Sequence, residues 1–349
     1  MLAFNPLNRT ADALSQSIAG LDYVDVDNSI APTSARINGS HLRVAELNAE
    51  RGRYWCDFAI QIRRTPTLAA VDVWLLNEFD LGMARSDQAH TVRLLAYALG
   101  FNYAWSTEFI ELTNGNREEQ RRTKGKDNKY GLHGNAILSR WPIEEAHVVR
   151  HKSSAALFTS KGRDTAGGAE KRLGGRMTLF ASTRIPFDGG GGATEDVTLG
   201  ATHAQTSWQH DKAHTCASTA DMRAAVERLG HGKALIGGDT WASTCHWLKL
   251  TPLVSKRSGF NTFNKKKQKV TISSNAYMDD YVCAKGFRRV GDVMRLPCVG
   301  RGEKSQFVLS DHIYVVVDVA TVEAGGREES AAMPAVHECP ENMRNMARN

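Results

Sequence analysis

The 349-residue chain has no apolar run approaching the ~20 residues that span a bilayer. A membrane-crossing helix is therefore not expected. Its first residues, MLAFNPLNRTADALSQSIAG, lack a basic segment followed by a continuous apolar stretch, so they do not read as a secretory signal and the expected location is intracellular. Cysteine is scarce. The six, at positions 56, 216, 245, 283, 298 and 339, form no CxxC pair and no dense framework. Zinc and a disulfide scaffold are both disfavoured, and reduced thiols are expected. No internal repeat is present, and the glycine run in DGGGGATED has the composition of a hairpin connection or surface loop, not of a domain linker.

Apolar residues make up 42% of the chain and charged residues 23%, the balance of a globular protein with a substantial core. Net charge is +6 and the pI is near 9.0, which favours polyanionic partners: nucleic acid, acidic lipid headgroups or phosphate esters. The excess is local. REEQRRTKGKDNK (117–129) and KRSGFNTFNKKKQK (256–269) both read as solvated loops, the second with Phe260 and Phe263 among its lysines. Such loops serve solubility as readily as binding, and the aromatics add only slightly to a nucleic-acid or membrane-surface reading. A monomer is the simplest expectation.

Residues 1–40 are polar and weakly patterned and read as an N-terminal extension, 41–320 as one domain, and 321–349 as a polar, flexible tail. Regular structure is expected to begin at HLRVAELNAERG, a strand running into a loop at Gly52. AAVDVWLLNEFD (69–80) has the length and density of a strand buried on both faces. In SDQAHTVRLLAYALGF, Val92, Leu95, Ala96 and Leu99 share a helical face, with Ser86 or Asp87 placed to cap it and Gly100 to stop it. Strands follow at 134–143, 176–187 and 197–205, then a helix over roughly 216–229, and further strands at KALIGGD, YMDDYVCAK and FVLSDHIYVVVDVA. Polar clusters fall repeatedly at strand ends, a layout that suits an α/β domain whose site is assembled at one edge of its sheets.

Five of those clusters carry chemistry: Asn48; Asn77-Glu78; His203; Asp239; and Ser310-Asp311-His312. Singly each has an ordinary reading, a solvated strand end, a cap or a core histidine. Together they supply carboxylates, imidazoles and an amide without thiolates, a set that suits Mg²⁺ or Mn²⁺ better than zinc. Hard cations with Asp and His are the equipment of phosphoester hydrolysis.

The order of these segments resembles that of the endonuclease/exonuclease/phosphatase superfamily of DNase-like phosphoesterases, over about residues 41–320. LRVAELNAERG resembles its first strand, ending in Asn48, and VDVWLLNEFD the strand whose Glu binds metal, here Glu78. GNAILSRWPI resembles an internal strand, GATHAQ the strand ending in a phosphate-contacting residue, here His203, and LIGGDTW the Gly-Asp-x-Asn motif through Asp239. MDDYVCAKGF supplies Asp280 and LSDHIYVVVDV the closing Asp311 and His312. The resemblance implies a four-layer α/β sandwich, two packed and mostly antiparallel sheets flanked by helices. It also implies roles. Glu78, Asn48 and Asp311 would hold the divalent ion; His312, oriented by Asp280, would stabilise the phosphoryl transition state; His203 would position the phosphate; Asp239 would align and deprotonate the attacking water.

Other residues stay open. His133 and Asn135, flanked by glycines in YGLHGNAILSR, either line the site or belong to a loop. Arg172 in EKRLGGRM, near Arg176, either meets phosphate through its forked donors or pairs with Glu170 at the surface. The departure from the pattern is Trp241, which stands where the motif has Asn. Indole offers one donor and no acceptor, and loss of an oriented donor costs about 10²–10³ in rate. A phosphodiesterase or nuclease is the leading reading. A lipid or small-molecule phosphoesterase, or a weakly active or non-catalytic phosphate binder, is the alternative.

Overall fold

The computed structural model describes residues 20–31, 37, 41–151, 157–159, 171–187, 194–204, 220–224, 226–227, 232–240, 251–252, 280–301 and 306–322. Two sheets form its frame. The first holds β1 (Val24–Asp27), β2 (Leu42–Asn48), β3 (Val73–Leu81), β4 (Asn102–Glu111), β5 (Leu132–Ser139), β7 (Leu157–Thr159), β8 (Lys171–Gly174), β14 (Phe287–Arg301) and β15 (Gln306–Thr321). Their order is β14-β15-β2-β3-β5-β4-β8-β7, with β1 paired to β4. The second holds β6 (Ile143–Arg150), β9 (Met177–Pro186), β10 (Thr194–Thr202), β11 (Lys233–Asp239), β12 (Thr251–Pro252) and β13 (Asp280–Lys285), ordered β12-β13-β11-β10-β9-β6. Only β2/β3 and β10/β11 run parallel among the described pairs; the rest are antiparallel.

Side chains alternate across a strand with period two, and the central strands of the first sheet are apolar on both faces. Leu42, Val44, Val73, Leu75, Val315 and Val317 look into a core shared with Leu179, Leu199, Leu235 and Val282 of the second sheet. Ala45, Leu47, Trp74, Leu76, Tyr314 and Val316 face the other way, onto Phe58 and Ile62 of α1 (Trp55–Arg64) and Val92 and Leu95 of α3 (Thr91–Leu99). The short α2 (Pro66–Ala69) starts with proline at its first position. Beyond the second sheet, residues 220–224, 226 and 227 are helical, and the sulfur of Met222 accepts from Thr202 Oγ1 at 3.6 Å. The arrangement is a four-layer α/β sandwich, two mostly antiparallel sheets flanked by helices, as the sequence implied.

Several local expectations change. Regular structure begins before His41, because Val24–Asp27 pairs with β4 and Leu21 is buried. Neither Ser86 nor Asp87 caps α3: its N-cap is His90, Ser86 Oγ donates to the Asp80 carboxylate, and Asp87 adopts a left-handed conformation. Gly100 does stop α3, with φ of 76°. The strand expected over 134–143 breaks at Ser139 and resumes at Ile143 across Pro142. The first basic segment is not wholly a loop. Arg117–Arg122 forms α4, closed by a capping box in which Asn116 accepts from Glu118 and Glu119 amides while the Glu119 carboxylate accepts from the Asn116 amide. Cys283 is disulfide-bonded, its partner outside the described residues, so reduced thiols do not hold throughout; Cys56 and Cys298 are free. The 256–269 segment, the glycine run at 189–192 and residues 323–349 lie outside the described residues. No described helix is long and apolar enough to cross a membrane.

Candidate active site

The face between the sheets turns polar at one end, and pairing register decides which side chains meet there. Asn48 stands opposite Asn77 across the parallel β2/β3 pair, and Asp239 opposite Asp280 across β11/β13. The asparagines of the first sheet then reach Asp239 of the second. Asn77 Oδ1 accepts from the Asp239 amide at 3.0 Å, and Asn48 Nδ2 donates to Asp239 Oδ2 at 3.3 Å. The other end of the Asn77 amide donates to Asn135 Oδ1 at 3.0 Å, so Asn135 belongs to this buried ladder and not to a loop. Gly238 lets β11 close on β10 within the second sheet. Its φ is +149°, and a β-carbon there would lie 1.7 Å from the Thr202 carbonyl oxygen.

Asp239 is the centre of the arrangement. Its Oδ2 lies 3.3 Å from His203 Nε2 and 3.8 Å from His312 Nε2. Each histidine has a carboxylate behind it. Both oxygens of Asp280 approach His312 Nδ1, at 3.0 and 2.9 Å. Glu108 Oε2 lies 3.5 Å from His203 Nδ1, an ionic contact longer than a good hydrogen bond. Arg176 donates to the other Glu108 oxygen at 2.9 Å. The other Asp239 oxygen, Oδ1, is buried and has no hydrogen-bond partner among the described residues.

Charge follows from this packing. Burial alone would raise the Asp239 pKa, but His203 first, then His312 and Arg176, lower it. Burial and the nearby Arg176 oppose a charge on His203; the Glu108 and Asp239 carboxylates outweigh them and raise its pKa. Glu108 resists burial in the same way, held down to about 2 chiefly by Arg176 and His203. The packing therefore favours the anion on Asp239 and the cation on His203.

Glu78 sits at a second strained point. The β3/β5 register shifts between Leu76 and Phe79, and Glu78 takes a φ of 60°, a left-handed value that redirects its side chain. Arg51, itself at φ 79°, makes an ion pair with Glu78 Oε2. Burial would raise the Glu78 pKa, yet Arg51, then His133, His203 and Arg172, hold it well below the carboxylate range. His133 is buried beside the site, not in a loop, with Nδ1 2.8 Å from Asp80 Oδ1. Asp80 also takes two bonds from the fully buried Arg85, which reaches Glu111 and Glu119 as well. Arg172 pairs with Glu111 at 2.9 Å and lies over the Phe109 ring. Glu170, the other partner expected for it, lies outside the described residues.

Of the residues singled out in the sequence, Asn48, Asn135, Asp239, Asp280, His203 and His312 converge through direct contacts, with Glu78 and His133 alongside. Asp311 lies in β15, but its side chain falls outside the described residues, and so does Trp241 entirely. Arg51, Glu108 and the Asp80–Arg85 pair were missed. The one available signal was acidic residues inside the otherwise apolar runs NYAWSTEFIE and VWLLNEFDL.

No family model and no curated protein matches the chain. Solved structures do. TDP2 from D. rerio, solved with a single-strand DNA product, is 12% identical over 81% of this chain and 100% of its own, with a TM-score of 0.46. An endonuclease/exonuclease/phosphatase family protein from Bacteroides thetaiotaomicron is 16% identical, covering 80% and 97%, at a TM-score of 0.44. A mannosyl-6-phosphatase from the same species is 17% identical, covering 80% and 99%, at 0.45. The chain is similar to endonuclease/exonuclease/phosphatase proteins. At these identities and TM-scores, what it does has to be read from its own side chains.

Proposed function

We propose that the chain is a divalent-metal-dependent phosphoester hydrolase, acting on phosphodiesters by in-line attack of water without a covalent intermediate. The observation that carries this is Asp239: a buried carboxylate with one oxygen held by Asn48 and His203, 3.8 Å from His312, and the other without a hydrogen-bond partner among the described residues. The first oxygen sets orientation. The second, Oδ1, is left to align a water and accept its proton as the bond to phosphorus forms. A lowered pKa makes Asp239 a weak base, so alignment is the larger part of its work. His203 supplies a cation for a non-bridging phosphoryl oxygen. Asp280 fixes the proton of His312 on Nδ1 when the carboxylate is ionised and turns Nε2 to the same centre.

The oxygens of Glu78, Asn48 and, by resemblance, Asp311 would hold the ion, Mg²⁺ or Mn²⁺. Among the described residues no three His, Cys, Asp or Glu side chains form a cage. A small hard ion relies on one or two carboxylates with water and substrate phosphate completing its shell. Such an ion, when bound, neutralises charge on the phosphoryl oxygens.

Nucleic acid is the favoured substrate class. Around α4, Arg117, Arg121, Arg122, Lys124, Lys126 and Lys129 are exposed against only Glu118 and Asp127, and Glu119 of the same helix contacts Arg51 beside Glu78. A basic rim therefore adjoins the site. The test is a screen of Mg²⁺, Mn²⁺ and Ca²⁺ against plasmid, single-stranded DNA, RNA, an aryl phosphodiester, sphingomyelin and inositol phosphates. Wild type and Trp241→Asn should cleave nucleic acid with Mg²⁺ or Mn²⁺, and His312→Ala should not. Cleavage confined to lipid or small esters would replace the substrate; no turnover by wild type on any substrate would sink the hydrolase.

A further inference from the structure

The residue best placed to hold a metal already has a cation on it. Arg51 is ion-paired with Glu78 Oε2, and the same guanidinium lies 3.5 Å, through Nε, from Glu119 Oε1. All three side chains are largely buried. Backbone strain aims the pair: Glu50, Arg51 and Gly52 all have positive φ, as does Glu78, and Gly52 is packed so closely on the Phe79 ring that a β-carbon would lie 2.6 Å from it. The two strained segments thus lock against each other with Arg51 facing Glu78. Glu119 is equally fixed. Its Oε2 accepts from the Asn116 amide at 2.8 Å and lies 3.3 Å from Arg85, which leaves Oε1 as the oxygen that meets Arg51.

We propose that Arg51 is a built-in competitor for the metal site, holding Glu78 until a divalent ion arrives and then retained by Glu119. One carboxylate oxygen cannot bond a guanidinium and a divalent ion in the same direction, and two cations sharing it repel. An ion on Glu78 must displace Arg51 from Oε2 or take the other oxygen against its repulsion, and Glu119 makes the displacement short by holding the guanidinium as it leaves. The apparent metal affinity is reduced by the fraction of molecules in which Glu78 is engaged. The device links the metal site to α4, whose first turn supplies Glu119 and whose surface carries the basic rim. This inference rests on the metal reading above, and its test is chosen to separate the two.

The measurement is calorimetric binding of Mg²⁺ and Mn²⁺ to the substrate-free protein, with a thermal melt of each variant as the check on folding. Arg51→Gln should tighten binding about tenfold, and Glu119→Gln should weaken it about threefold by leaving Arg51 on Glu78. Arg172→Gln, which removes another cation acting on Glu78, should change affinity much less. Arg51→Gln binding no tighter than wild type, or no tighter than Arg172→Gln, overturns the competition while leaving a metal site standing. Absence of binding in wild type and in Arg51→Gln alike overturns the metal reading and the competition with it. Should Arg51→Gln not fold, the direction of the Glu119→Gln shift decides, and unchanged or tighter binding overturns the proposal.

Discussion

At the scale of single residues, the site depends on geometry that few side chains can satisfy. Asp239→Asn keeps the shape but turns an anionic acceptor into an amide beside two histidines, so hydrolysis should fall by about 10²–10⁴-fold. Steady-state rates at a fixed thermal midpoint check this, and near-normal turnover contradicts it. Gly238→Ala should destabilise the fold by at least about 1–3 kcal/mol from backbone strain alone, because its β-carbon would meet the Thr202 carbonyl oxygen; urea titration reads the change. Glu108 gives a pH signature. Its folded pKa of about 2 lies below the ordinary 4.5, so its contribution is present above 4.5 and is lost as pH falls towards 2. Melts across that window should show a steep acid loss that Glu108→Gln flattens, and an unchanged slope contradicts the buried Glu108–Arg176 pair.

At the scale of elements, α4 shows what a charge pattern conceals. REEQRR reads as solvent-facing, and most of it is, but Glu119 points inward to the capping box and to Arg85 and Arg51. The sequence shows an N-cap Asn three residues before a Glu; it does not show that the Glu is shared with a buried arginine 34 residues away. Asn116→Ala should cost about 1 kcal/mol through the cap. Arg85→Met should cost about 3–5 kcal/mol, since it strands Asp80, Glu111 and Glu119 without their common cation. Equilibrium unfolding of both separates a local cap from a buried hub; equal losses would contradict the hub.

For the whole molecule, legibility followed distance along the chain. Strands β2, β3 and β15 were readable because burial on both faces leaves dense apolar runs, and α3 because its apolar face ends at Gly100. The polar strand ends were readable as a set, and register brought six of them together. Partnerships across the sandwich were not, because nothing local marks them: Glu108 with His203, Arg51 with Glu78 and Arg172 with Glu111 join segments far apart in sequence. Ser86 as a cap failed because a buried carboxylate, Asp80, was the stronger partner. Two sheets packed face to face and meeting at Asn48, Asn77 and Asp239 convert scattered polar ends into one charged centre.

That centre is tested most directly by hydrolysis in ¹⁸O-labelled water. Wild type with Mg²⁺ and a phosphodiester should place the label in the phosphoryl product within a single turnover, and Asp239→Asn, folded equally well, should form that labelled product about 10²–10⁴-fold more slowly. Unlabelled phosphoryl product from the first turnover, or labelled product formed by Asp239→Asn at the wild-type rate, would contradict water activation at Asp239.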